Sequence, residues 1–166
     1  NDMLTESYVD EVIDDFEEGD ILLNTTLAET SDWQQVDLPV VSTLRHFCIE
    51  TLSSYTEDNQ ACISEVDLLD DKGQPIDKTK WEVVYVSSEQ ADKNLGIAEN
   101  LFDGDISSFW HTDPATEPGQ PHRIIVDIKE IYKISALRFK VRKGAFLSGK
   151  VKEINVYGRP QFFLFH

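Results

Sequence analysis

The side chains best suited to chemistry fall together in Asn100-Leu101-Phe102-Asp103-Gly104-Asp105-Ile106-Ser107-Ser108-Phe109-Trp110-His111-Thr112. Asp and Gly are depleted in strands and favour tight turns, so Asp103-Gly104-Asp105 reads as a bend. A bend that converges carboxylates, hydroxyls and carbonyls on one point offers what a hard cation such as calcium takes. Trp110 carries a large apolar body out of that bend, which predicts a loop anchored to a core at its far end. The spacing is not that of an EF-hand. With Asp103 at loop position one, position six is Ser108 where glycine is required, and position twelve is Pro114 where a bidentate Glu is required. Further cation ligands therefore have to come from elsewhere in the chain.

The frame around this stretch is that of one globular domain. The chain has 166 residues, 40% hydrophobic and 28% charged, enough to bury a real core. No apolar run approaches the roughly 20 residues of a membrane span. The first residue is Asn and no signal peptide precedes it, as expected of a piece of a longer or processed protein. Net charge is −16, unevenly spread: residues 1–44 hold twelve Asp or Glu and no Lys or Arg, which leaves 19 acids against 15 bases, or −4, for the rest. Such a field disfavours nucleic acid and anionic membrane, both of which are bound through Lys and Arg. Cys48 and Cys62 lack metal-ligand spacing; they fit either a cross-strand disulfide or two buried thiols.

Taken in order, the chain first offers residues 7–19, where Val9, Val12, Ile13 and Phe16 fall on one helical face behind a Ser7…Asp10 cap; a solvated acidic linker is the equal alternative. Asn24-Thr25-Thr26 is a glycosylation sequon, meaningful only in a secreted eukaryotic chain. From Trp33 onward the pattern is of strands: residues 44–52, 61–69, 81–86, 123–128, 137–142 and 151–157. Residues 123–128 are almost wholly apolar and belong at the centre of a sheet. In residues 137–142, Leu137, Phe139 and Val141 alternate with Arg138, Lys140 and Arg142, so one face is buried and one wet. Short strands, turn signals and little helical periodicity predict an all-β sandwich over 41–166, preceded by an acidic segment over 1–40. The apolar tail Phe162-Phe163-Leu164-Phe165 is expected to cover the sandwich or pair at its edge.

In sequence order these pieces resemble the discoidin, or coagulation-factor type C, family. They are Cys62-Ile63-Ser64-Glu65-Val66-Asp67-Leu68-Leu69-Asp70 with Gly73, Trp81…Ser87-Ser88-Glu89, and Asp103-Gly104-Asp105…Ser108-Phe109-Trp110-His111-Thr112. Pro121-His122-Arg123-Ile124-Ile125-Val126-Asp127-Ile128, residues 137–142, Gly149 and Lys152-Glu153-Ile154-Asn155-Val156-Tyr157-Gly158 complete the set. The resemblance covers roughly residues 40–158 and is nearest the galactose-binding-like modules carried by glycoside hydrolases and polysaccharide lyases. It implies a jelly-roll β-sandwich, secreted or at the cell surface, that binds carbohydrate at one end without transforming it. The partners it implies are a glycan and the enzyme domains of the same protein; a protein-binding adhesion domain is the alternative.

The resemblance also implies a structural calcium. Its ligands would be the carbonyls of Asn100, Asp105 and Lys152, the side chains of Asp103 and Glu153, and Ser108, which replaces the more usual threonine. For the sugar, the matching positions are His111, Arg142, Phe146 and Ser148, with Glu89 alongside. Three departures leave galactose specificity open: Asp113-Pro114 follows Trp-His-Thr where an aromatic is usual, Val141 replaces a proline, and Ser148 an asparagine. Between Lys129 and Glu153 eight Lys or Arg face two acids, which raises an acidic or sulfated polysaccharide as a ligand class against a merely solubilising face. No nucleophile-elbow, zincin, phosphate-loop or dinucleotide motif points to an enzyme.

Overall fold

The computed structural model describes residues 21–56, 59–115, 119–141 and 149–160. Its strands are β1 (Ile21–Thr26), β2 (Gln34–Thr51), β3 (Cys62–Ile63), β4 (Glu65–Asp70), β5 (Glu82–Val86), β6 (Trp110–His111), β7 (His122–Lys140) and β8 (Glu153–Arg159). Short 3-10 segments at Asp92–Asn94 and Ala98–Phe102 separate β5 from β6. The all-β expectation holds. Every strand pairing is antiparallel.

Two runs predicted as separate strands, 123–128 and 137–142, prove to be halves of the single long strand β7. Between them Lys129 takes a left-handed φ of 73°, with its N–H held by Asp127 Oδ1 at 2.7 Å, and the strand turns there. The equally long β2 breaks register between Asp37 and Ser42 and again between Leu44 and His46. Each long strand therefore contributes to two layers. The second half of β2 and the first half of β7 lie in the order β1-β8-β2-β7-β5; their other halves continue with β4. Bulges of this kind increase local twist and let a strand change sheet.

Alternation then fills the space between layers. Phe47 and Ile49, Ile124 and Val126, Leu137 and Phe139, Ile154 and Val156, and Val66 and Leu68 all point into one core with Trp81 and Trp110. Leu137, Phe139 and Val141 are buried while Arg138 and Lys140 keep partial exposure, as the alternation required. Full burial of such side chains contributes about 1.5–3 kcal/mol each.

Strands are already present before position 41. β2 runs through that position and β1 pairs with β8, because residues 21–40 carry enough strand-forming sequence to extend the sheet. The residue 7–19 helix, and the tail 162–165, fall outside the described residues. Cys48 and Cys62 are both buried thiols, on different elements: Cys48 packs with Ile125, Val84, Tyr85 and Tyr157, and Cys62 lies on β3. The Asn24 amide of the sequon is occupied within the sheet, donating to Asn155 Oδ1 at 2.9 Å and Glu153 Oε2 at 3.1 Å. Among the described residues no helix is long and apolar enough to cross a membrane.

Candidate functional site: the acid-rich loop and the adjoining rim

The loop is built by its own short side chains. Asp103 Oδ1 accepts the Asp105 N–H at 2.9 Å, and its Oδ2 accepts the Ser108 hydroxyl at 2.5 Å; that hydroxyl also lies 2.8 Å from the Asp105 carbonyl. Asp105 Oδ1 takes the Ser107 hydroxyl at 2.6 Å and N–H at 2.9 Å, and these bonds hold its carboxyl below the usual range. Gly104 sits at φ +79°, a conformation that costs a side-chain-bearing residue strain. The Asn100 amide ties the loop ends together by donating to the Phe109 carbonyl at 3.0 Å. Trp110, fully buried, anchors the far end as expected, its indole N–H on the Ser88 carbonyl at 2.9 Å.

A residue that sequence reasoning missed pins this loop to the sandwich. Gly104 N–H donates to Glu65 Oε2 at 3.1 Å, and the Lys78 ammonium pairs with both Glu65 and Asp67, the latter at 2.6 Å. Burial pushes the Glu65 carboxyl up, with Lys78 opposing it. For Asp67 burial acts in the same sense, but hydrogen bonds from Lys78 and Arg138 outweigh it and hold the carboxyl low. The available signal was an acid beginning the apolar run of β4, which needs an internal partner if it is to be buried.

The expected calcium ligands come from the loop and from the start of β8, and several of them hold protein partners. Asn100, Asp103, Asp105 and Ser108 share the loop. The Lys152 carbonyl accepts the Leu27 N–H at 2.7 Å, and Glu153 is bonded by Asn24. The register of β8 on β1 sets Glu153 opposite Thr26, so its carboxylate lies with Asn24, while the loop lies against Glu65 on β4. Among the described residues no group of three or more His, Cys, Asp or Glu is arranged to hold a metal. No step below is routed through calcium.

Of the expected sugar-binding positions, His111 and Glu89 lie among the described residues. His111 on β6 pairs with Cys62, and Cys62 pairs in parallel with Lys150 while its N–H bonds the Gly149 carbonyl at 2.8 Å. Two strand spacings, about 10 Å, thus separate His111 from Lys150. Arg142, Phe146 and Ser148 themselves fall outside the described residues. His111 is only 4% exposed; its Nδ1 donates to the Thr112 carbonyl at 2.5 Å and its ring meets Phe109 edge-on. Glu89 Oε1 accepts the Ala98 N–H at 2.9 Å, at the start of the 3-10 segment Ala98–Phe102.

Around them lies an amide-rich rim that the sequence reading passed over as loop. Thr112 donates to Gln60 Oε1 at 2.6 Å, the Gln120 amide donates to the Gln60 carbonyl at 3.1 Å, and Thr51 donates to Gln120 Oε1 at 2.9 Å. His122 Nε2 donates to the Asn59 carbonyl at 2.7 Å, leaving its buried Nδ1 with no hydrogen-bond partner. Two cations of the alternating strand face have partners within the fold. Arg138 donates to Asp67 Oδ2 at 2.7 Å and lies 4.9 Å over the Trp33 ring, and the Lys140 ammonium donates to the Ser31 carbonyl at 2.6 Å.

The strands form an antiparallel β-sandwich around one core. Residues 83–161 match the F5/8 type C domain, so the resemblance read from the ordered motifs holds across β5 to β8, including the acid-rich loop and the Trp-His-Thr segment. The chain is also 33% identical over 84 residues to a protein of Micromonospora viridifaciens named "Sialidase". That alignment takes in 49% of this chain and 13% of the relative, so the chain spans a small part of that protein's length.

Proposed function

We propose that the chain is a non-catalytic carbohydrate-binding module that holds attached enzyme domains close to a glycan. One observation carries the reading: the His111–Cys62–Lys150 alignment brings the Trp-His-Thr segment beside Gly149 and Lys150, within the stretch matched by the F5/8 type C domain. Saccharide recognition requires an aromatic surface for the apolar C–H patch of a pyranose and a few fixed polar groups for its hydroxyls. Phe146 and Arg142 supply the first kind of group and one of the second, and Gln60 and Gln120 supply amides already held in a hydrogen-bonded chain. The similarity to a sialidase supports an enzyme as the attached partner. Tethering raises the effective concentration of that enzyme at its polymer without any chemistry by the module.

A glycan array with the isolated chain tests this, alongside hydrolysis assays on whatever binds. Binding to glycan without turnover is expected. Hydrolysis, or capture of protein ligands with every glycan ignored, would remove the proposal and leave a catalytic or adhesion role in its place.

A further inference from the structure

We infer a second saccharide-binding surface, separate from the end loops, on the outer face of the layer formed by β2, β7 and β4. It rests on the carbohydrate reading above and adds the position and ligand class of a new subsite. Of the three tryptophans, Trp81 and Trp110 are 6% and 0% exposed, whereas Trp33 is 38% exposed. An indole left at the surface in a chain that buries its other two calls for a reason.

Its surroundings are those of a rigid platform. The segment before Trp33 is clamped by Gln34, whose amide accepts from Ala28 N–H at 2.8 Å and donates to the Ala28 carbonyl at 3.1 Å. Arg138 covers one side of the indole and is itself fixed by Asp67, which Lys78 holds in turn. Strand register sets Gln35 against Arg138 and Asp37 against Ala136, and the Gln35 amide donates to Asp37 at 2.9 Å. The result is an exposed aromatic surface with the Gln35 amide, the Asp37 carboxylate and the Arg138 guanidinium beside it. Groups held this firmly lose little freedom when a ligand arrives.

Charge selects the ligand class. Arg138, Lys140 and Lys78 are met on this face by Glu65, Asp67 and Asp37, three against three, so the surface has no field for a polyanion. A neutral pyranose chain fits it: C–H groups against the indole, hydroxyls to Gln35, Asp37 and Arg138. Two such surfaces on one module bind a polymer more tightly than either alone.

The experiment titrates the full chain with soluble neutral polysaccharides (a β-galactan, a β-glucan and an arabinoxylan) and with dextran sulfate, following acrylamide quenching of tryptophan fluorescence. Because Trp33 is the exposed indole, a neutral polymer that binds should at least halve the quenching constant, and dextran sulfate should leave it unchanged. Trp33→Ala should weaken polymer binding about tenfold, and Trp33→Phe much less. Phe146→Ala should abolish end-loop binding yet preserve the shielding of Trp33. Polymer binding that leaves Trp33 open to acrylamide, or that Trp33→Ala does not weaken, overturns the second surface while the end-loop reading stands. Dextran sulfate shielding Trp33 overturns the neutral ligand class. Absence of binding to every polymer and every arrayed glycan overturns both readings together.

Discussion

Gly104 and Glu65, 39 positions apart, are joined by a hydrogen bond of 3.1 Å from the backbone N–H of the first to the carboxylate of the second. That bond fastens the acid-rich loop to β4, and it depends on a buried charge. Glu65 is tolerable there because Lys78 supplies the opposite charge and also serves Asp67. The loop is thereby held by an ammonium belonging to the chain.

Replacing Lys78 by Met leaves Glu65 without its counter-charge in a largely dry site, and Asp67 with Arg138 alone. Removing one member of a buried pair costs about 3–5 kcal/mol, and the 17% exposure of the Lys78 side chain puts this case at the lower end. Urea denaturation of Lys78→Met should show a loss of about 3 kcal/mol. A loss below about 1 kcal/mol, the ordinary worth of an exposed pair, would mean that the network does not hold the loop.

The pH dependence follows from the same network and from Asp127. Burial raises the Asp127 carboxyl, but the Arg45 side chain and the Lys129 N–H more than compensate, so it lies below its ordinary 3.8; Asp67 is lowered likewise. A depressed folded value contributes stability that is complete above pH 3.8 and is lost as pH falls through the folded pKa. Glu65, raised above its ordinary 4.5, acts in the opposite sense, its contribution being lost as pH rises through the folded value. Two lowered groups against one raised predict a net loss of stability on acidification below pH 3.8. Urea midpoints at a series of pH values should show it, with a shallower acid limb in Asp127→Asn. An unchanged limb in that variant would separate Asp127 from the acid transition.

Much of this was readable before any coordinates. The strict alternation of Leu137, Phe139 and Val141 with Arg138 and Lys140 declared a half-buried strand, and Asp103-Gly104-Asp105 declared its bend. What could not be read was that 123–128 and 137–142 are one strand, since the joint is a single left-handed Lys129 in a sequence with no Gly or Pro there. The partnership of Glu65 with Gly104 was equally hidden, because burial of an acid is decided by a lysine thirteen residues on and a loop thirty-nine residues on. Glu153 was assigned to the loop by resemblance. Its placement beside Asn24 comes from the register of β8 on β1, which a linear motif does not encode.

At Gly149 the base of the end loop passes so close to β3 that a side chain has no room. The residue has φ +76°, and an added Cβ would stand 3.0 Å from both the Ala61 carbonyl carbon and the Cys62 nitrogen, backbone atoms that cannot swing aside. Left-handed strain on a non-glycine costs on the order of 1–3 kcal/mol. Gly149→Ala should therefore lose stability in that range and, by lifting the loop base from Cys62, weaken glycan binding more than the stability loss alone explains. Calorimetric titration of the folded variant measures the second effect; unchanged affinity would detach the loop base from the binding rim.

Calcium supplies the last prediction, because several oxygens that the resemblance assigns to it hold protein partners in the fold. A ligand present at a hundred times its dissociation constant stabilises the folded state by about 2.7 kcal/mol. For a domain of this size that is a melting shift of about 5–10 °C. Such binding needs about 6–8 oxygens around the ion. The loop converges Asp103 Oδ2, Ser108 Oγ and the Asp105 carbonyl, while Glu153 and the carbonyl of Lys152 bond Asn24 and Leu27. Melting temperatures in millimolar calcium and in excess chelator should therefore agree to within about 2 °C. Glu153→Gln should respond to calcium as the parent does, whereas Asp103→Asn should be destabilised in both buffers through its lost bonds to Ser108 and Asp105. A shift of several degrees on chelation, abolished in Glu153→Gln, would instead bring β8 and the loop to a shared ion.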